Sequence, residues 1–132
     1  NKFELATKLY TPSYISFETV LRQAGITFQY YETIFVASYL TREIDADNQK
    51  YEYKKMKDSI LTNSAGIEKK DGYSIASPER ALLDTLYRSK GYYFDNLNPL
   101  NWDEVFKLLP IYNNKRMEKT VEKLFKNFKK SQ

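Results

Sequence analysis

YSIASPERALLDTLYRSKG, residues 73–91, carries a strand, a corner and a helix in one run. The opening YSIA has the β-branched and aromatic character of a strand. At Ser77-Pro78 the chain turns helical. Ser is a preferred N-cap, and Pro at the first helical position already has the required φ and lacks an N–H that would be orphaned there. At 100° per residue, Leu82, Leu83, Leu86 and Tyr87 share one arc and must face a core. Arg80, Asp84 and Arg88 form an i, i+4, i+8 ladder beside that arc. The plain expectation is a surface ion-pair ladder, each pair contributing about 0.3–0.5 kcal/mol. The sharper one is a recognition edge for an anionic partner, or a carboxylate site. Gly91 is the expected helix stop.

Upstream, FELATKLY reads as a short helix and TPSY as a turn. ISFETVLRQAG follows as a helix with Ser16 as N-cap and Gly25 as a left-handed C-cap. Phe17, Val20, Leu21 and Ala24 make its apolar face. From Thr27 to Lys57 the character is strand. TIFVASYL leads into a continuation, a turn at DADNQ, and a return strand with Tyr51 and Tyr53 on one face. SILTNSAG is irregular. IEKKDGYSIAS reads as a tight hairpin about Asp71-Gly72. Helix, strands, then helices predict an α+β fold: a small, mainly antiparallel sheet packed against several helices, in a single domain over 1–132.

Downstream, YYFDNLNPLNW is a loop in which Tyr92, Tyr93, Phe94 and Trp102 cluster. Packing with hydroxyls at the surface is the simpler reading, stacked nucleobases the other. Residues 102–109 predict a short helix ended by Pro110, and a final helix runs from about 113 to 130. That last segment holds the chain's basic character. Lys115, Arg116, Lys119, Lys123, Lys126, Lys129 and Lys130 stand against Glu118 and Glu122, while the rest of the chain is close to neutral. Met117, Val121, Leu124, Phe125 and Phe128 form a core-facing stripe, so the helix is amphipathic with lysines outward. Two readings stay open. One is a solvated helix with cations favoured near its C-terminus. The other is a phosphate-contacting face whose binding falls steeply with salt. A membrane-surface helix is less favoured, since it has no Trp anchor.

Composition narrows the chemistry. The 132 residues include no Cys and no His. Disulfides, thiolate nucleophiles, Cys/His zinc sites and His-based triads are excluded. No apolar run approaches the roughly 20 residues that span a bilayer. A globular cytoplasmic protein without cofactor or metal is expected, and the initial Asn suggests a piece of a longer chain. One enzymatic alternative exists. Asp45, followed by Glu52 and Lys54 on a strand, has the order in which PD-(D/E)xK nucleases hold Mg²⁺ and orient a water. Such a pattern is frequent by chance in a Lys-rich chain, and Asp45 falls at a turn.

ASPERALLDTLY resembles the A(S/T)PEKALLDLLY segment of the AbiEi family, the antitoxins and transcriptional regulators of bacterial type IV toxin–antitoxin pairs that act in phage defence. LYTPSYISFETVLRQAGI is similar to that family's PSYISLESALxxHGLI, with Ala24 where His is frequent. TIFVASYLTREID and YEYKKMK resemble its central hairpin, with the TxxRT portion reduced to LTRE. The likeness covers residues 5–88. It implies a C-terminal antitoxin domain without catalytic residues, in a protein that represses its own promoter and opposes a nucleotidyltransferase-like toxin without a stable complex. It also implies an upstream winged helix-turn-helix, which these residues do not include. Charge placement alone, not the resemblance, nominates Arg80, Arg88, Lys115, Lys119, Lys123 and Lys126 as nucleic-acid contacts. An oligomerisation module for a DNA-binding regulator is a further alternative.

Overall fold

The computed structural model describes residues 1–132. In chain order the elements are α1 (Lys2–Leu9), β1 (Ser13–Ile15), α2 (Glu18–Gln23), β2 (Ile34–Ser38), β3 (Arg42–Ala46) and β4 (Gln49–Lys55). There follow α3 (Asp58–Leu61), β5 (Ile67–Lys70), β6 (Tyr73–Ala76), α4 (Pro78–Arg88), α5 (Trp102–Leu108), a 3-10 turn (Leu109–Tyr112) and α6 (Lys115–Lys130). The strands form one sheet in the order β3-β4-β2-β1-β6-β5. The expected α+β class is what forms. Pairs β1–β2, β3–β4 and β5–β6 are antiparallel; β1–β6 and β2–β4 are parallel.

The two hairpins follow from their turn residues. Asp47 and Asn48 take φ of 51° and 60° between Ala46 and its partner Gln49. Asp and Asn tolerate that left-handed pair, whose twist matches the flanking strands. Gly72 takes φ 89° between the paired Lys70 and Tyr73. On one face of the sheet, the Tyr51 and Tyr53 hydroxyls donate to the carbonyls of Lys2 and Ala6 in α1 at 3.1 and 2.6 Å. The Phe3 ring of α1 meets Tyr73 edge-on at 5.4 Å on this face. The opposite face carries Tyr14 and Phe35 beneath α2 and α4. One cluster of 29 buried residues joins both sides.

α4 begins as its sequence requires. The Ser77 hydroxyl accepts from the Arg80 amide at 3.1 Å and Pro78 opens the helix. The helix ends at Arg88, three residues before Gly91, with an extended Ser89 as its cap. Strand structure does not begin at Thr27. Residues 27–33 run as a loop, and β2 starts at Ile34. The start of SILTNSAG, expected to be irregular, completes the single turn α3 that opens at Asp58.

Ser16 is not the N-cap of α2. Phe17 holds that position at φ 57° and ψ −141°, and no side chain caps the helix. This corner in β1→α2 turns Ser16 inward to α4 and aims Glu18 across β4. A bulky residue with φ above zero costs on the order of 1–3 kcal/mol and persists only where its surroundings over-determine it. Phe17 is fully buried beneath Lys54, which supplies that constraint.

No helix is long and apolar enough to cross a membrane.

Candidate nucleic-acid interface

α6 lies on the body through Met117 and Val121, both fully buried, and through the half-buried Leu124, Phe125 and Phe128. Trp102 of α5 stacks at a tilt on Phe125 and Phe128, with ring centroids 5.0 and 5.5 Å apart. Asn114 caps the helix by accepting from the Met117 amide at 3.0 Å. Arg116 pins its first turn to the end of α4 by donating to the Leu86 carbonyl at 3.1 Å. With the buried face fixed, helical geometry sets the rest. Lys115, Lys119, Lys123, Lys126 and Lys130 fall within an arc of about 80°, on a helix roughly 24 Å long. All five are exposed. None pairs with a carboxylate; the ion pairs of the fold lie elsewhere. Glu122 borders one edge of that arc, a turn from Lys119 and Lys126, and Glu118 lies further round the same side.

The structure therefore brings Lys115, Lys119, Lys123 and Lys126 together and adds Lys130 to them. It does not bring the nominated arginines. Arg88 is exposed on α4, and its guanidinium donates to the Lys55 carbonyl at the end of β4, at 2.8 Å. Arg80 is fully buried and cannot touch a nucleic acid. The surface ladder expected of Arg80, Asp84 and Arg88 is thus not a surface ladder. Arg80 and Asp84 sit on the core side of α4, because β1, α3 and the 3-10 turn close over the positions that an isolated helix would leave to solvent.

Their site is a fully enclosed polar centre. Asp84 Oδ2 accepts from the Tyr14 hydroxyl at 2.8 Å and from the Ser16 hydroxyl at 2.7 Å. Oδ1 accepts from the Tyr112 hydroxyl at 2.6 Å and lies 3.8 Å from Arg80 Nε. The Arg80 guanidinium donates to the carbonyls of Ile60, Asn63 and Ala65, and to the Tyr14 hydroxyl. It thereby ties down the loop between α3 and β5. Burial pushes the Asp84 carboxyl up, against the pull of Arg80 and the three hydroxyls. Burial, reinforced by the Asp84 charge, drives the Tyr14 and Tyr112 phenols well above their usual range. The centre welds four elements into one body. Its partners Tyr14, Ser16 and Tyr112 are invisible to helical periodicity, since they come from a strand, a corner and a 3-10 turn.

A second half-buried cluster lies across β4. Lys54 Nζ sits 3.6 Å from Glu18 and 3.9 Å from Glu52, over the rings of Phe17 and Phe35 at 5.0 and 4.8 Å. The Tyr92 hydroxyl donates to Glu18 Oε2 at 3.2 Å. Burial and the Glu18 charge raise the Tyr92 phenol strongly. Lys54, nominated as a nuclease lysine, is thus held by two glutamates and two rings. Asp45 pairs across the hairpin with Lys50 and Glu52 with Glu43. No group of three acidic side chains is spaced to hold a metal ion.

Compared with known proteins, the chain matches no family model, no curated protein and no solved structure.

Proposed function

We propose that the chain is a non-enzymatic regulatory domain that lays the lysine ridge of α6 along a nucleic-acid backbone, as part of a cytoplasmic antitoxin of the AbiEi kind. The observation that carries the nucleic-acid part is the ridge itself: five exposed lysines on one face of one helix, none paired with a carboxylate. Solubility does not require such segregation. A polyanion rewards it, because each phosphate neutralised by a lysine releases a condensed counterion.

The antitoxin part rests on the resemblance. It is supported by where the resembling segments meet. Tyr14 and Ser16 belong to the upstream segment, Arg80 and Asp84 to the downstream one, and they bond to one another in the core. Segments distant in the sequence thus resemble one family and form one structural unit. In such a protein the promoter is read chiefly by an upstream winged helix-turn-helix, and the domain described here adds backbone affinity and opposes the toxin.

The test is the triple substitution Lys119→Glu, Lys123→Glu, Lys126→Glu. All three positions are exposed, so the fold is expected to be retained, which circular dichroism checks. Binding to duplex DNA at low salt is expected to fall by about a hundredfold. Growth rescue from a co-expressed nucleotidyltransferase-like toxin is expected to weaken with it. Unchanged binding and unchanged rescue would reduce the ridge to solvated surface.

A further inference from the structure

A groove of about 500 Å³ opens beside the lysine ridge, between the loop 93–98 and the last turns of α6. That volume lies in the range of about 300–1,000 Å³ usual for small-ligand sites. One wall is the aromatic loop, with Tyr93 78% exposed at the rim and Phe94 buried behind it. The other wall is Leu124, Asn127 and Phe128 of α6. Asn127 is one helical turn from both Lys123 and Lys130, so the groove borders the ridge directly.

Two features distinguish this groove from ordinary surface relief. Tyr93 is the most exposed large aromatic residue in the protein, although its neighbours in sequence are packed. The Tyr92 ring packs on Phe94 at 5.0 Å, which holds the loop while leaving Tyr93 free. The carboxamides of Asn98 and Asn127 also face the groove without a side-chain hydrogen bond inside the protein, whereas that of Asn96 is used on Gly25 and Asn98. The one carboxylate side chain in the wall, Asp95, accepts from the Phe28 amide at 2.8 Å. Its charge is thereby partly committed.

Resting on the ridge as a phosphate-binding face, we propose that the ridge and groove together bind single-stranded nucleic acid, the backbone following the lysines and an unpaired base stacking on Tyr93 with its edge toward Asn98 and Asn127. Proteins that hold single strands combine these parts: a cationic track for the phosphates and an exposed ring for the bases, with amides available to a base edge. A duplex satisfies the ridge alone, because its bases are stacked and paired and cannot enter the groove.

The experiment is fluorescence anisotropy with labelled 12-nucleotide probes: a ribo strand, a deoxy strand, an abasic deoxy strand with the same phosphates, and a deoxy duplex. The intact strands are expected to bind about tenfold tighter than the abasic one, as a single base stack gives. Tyr93→Ala is expected to erase that difference and leave abasic and duplex binding unchanged; Tyr93→Phe is expected to keep it. A tighter ribo than deoxy strand would assign RNA, and the reverse would assign DNA. Equal binding of intact and abasic strands, or an unaltered preference in Tyr93→Ala, would overturn the groove while leaving the ridge intact. Loss of the ridge shows differently, as failure to bind every probe.

Discussion

The Ser16 hydroxyl donates to Asp84 Oδ2 at 2.7 Å, joining residues 68 positions apart in a fully buried contact. It is one of three hydroxyl bonds to a single carboxylate, beside a guanidinium that is itself bound to three backbone carbonyls of α3 and the loop after it. Truncating a member of such a centre leaves charge and donors buried without partners.

Asp84→Ala is expected to cost about 3–5 kcal/mol, the range for breaking a buried ion pair by removing one partner. Urea unfolding measures it. The double variant Arg80→Met, Asp84→Leu is expected to be more stable than either single truncation, since no lone charge remains. Additive losses would show that the two residues act independently.

The acid side of the stability profile carries a defined sign. Burial raises the Asp84 carboxyl above its ordinary 3.8 in the folded state. The folded protein therefore holds this proton where the unfolded chain has lost it. The associated stability is full below 3.8 and is lost as pH rises through the folded value. Relative to Asp84→Asn, the wild type is expected to lose ground as pH rises through that window. Urea melts of both proteins across a pH series test this; a wild type gaining on the variant with rising pH would contradict it.

On the alkaline side the tyrosines dominate. Burial beneath α1 pushes the Tyr53 phenol from 10 up to about 12. Its stabilisation is present below pH 10 and is lost as pH rises through about 12. Tyr14, Tyr51, Tyr92 and Tyr112 are shifted in the same direction. Ultraviolet titration is expected to show these five of the twelve tyrosines ionising late, and Tyr14 and Tyr112 only with unfolding. Tyr53→Phe removes the bond to the Ala6 carbonyl, and should cost about 1 kcal/mol at neutral pH while moving alkaline unfolding upward.

A side chain at Gly66 meets two obstacles, backbone conformation and crowding. The Gly66 φ is 74°, and an added Cβ would lie 3.0 Å from Leu108 Cδ1 and 3.1 Å from Arg80 Cβ. Its carbonyl also accepts from the Ser77 amide at 2.8 Å. Gly66→Ala is expected to destabilise by more than about 1 kcal/mol. Gly25→Ala has the same class of φ but open space around it, and should cost less. Thermal melts of the pair separate strain from crowding.

The exposed ridge gives a salt signature. If five lysines each neutralise a duplex phosphate, log K against log salt should have a slope of about −4.5. Each single Lys→Ala on the ridge is expected to flatten it by about 1. A slope unchanged by Lys123→Ala would remove that residue from the contact.

Local chemistry determined much of this protein from the sequence alone. Ser77-Pro78 starts α4, Asp71-Gly72 turns a hairpin, and the stripe from Met117 to Phe128 seats α6 with its lysines outward. These features depend on neighbours within a turn or two, so periodicity and turn residues suffice to read them. The tertiary structure decided what those rules do not reach. Arg80 and Asp84 occupy positions that helical spacing allots to a surface ladder, yet β1, α3 and the 3-10 turn close over them. Ser16 has the chemistry of an N-cap, but the left-handed corner at Phe17 hands its hydroxyl to Asp84. Tyr93 and Asn127 are 34 positions apart, and only the packing of α6 against the aromatic loop makes them two sides of one groove. In each case the outcome depends on which distant element arrives to exclude water, and that is a property of the assembled core.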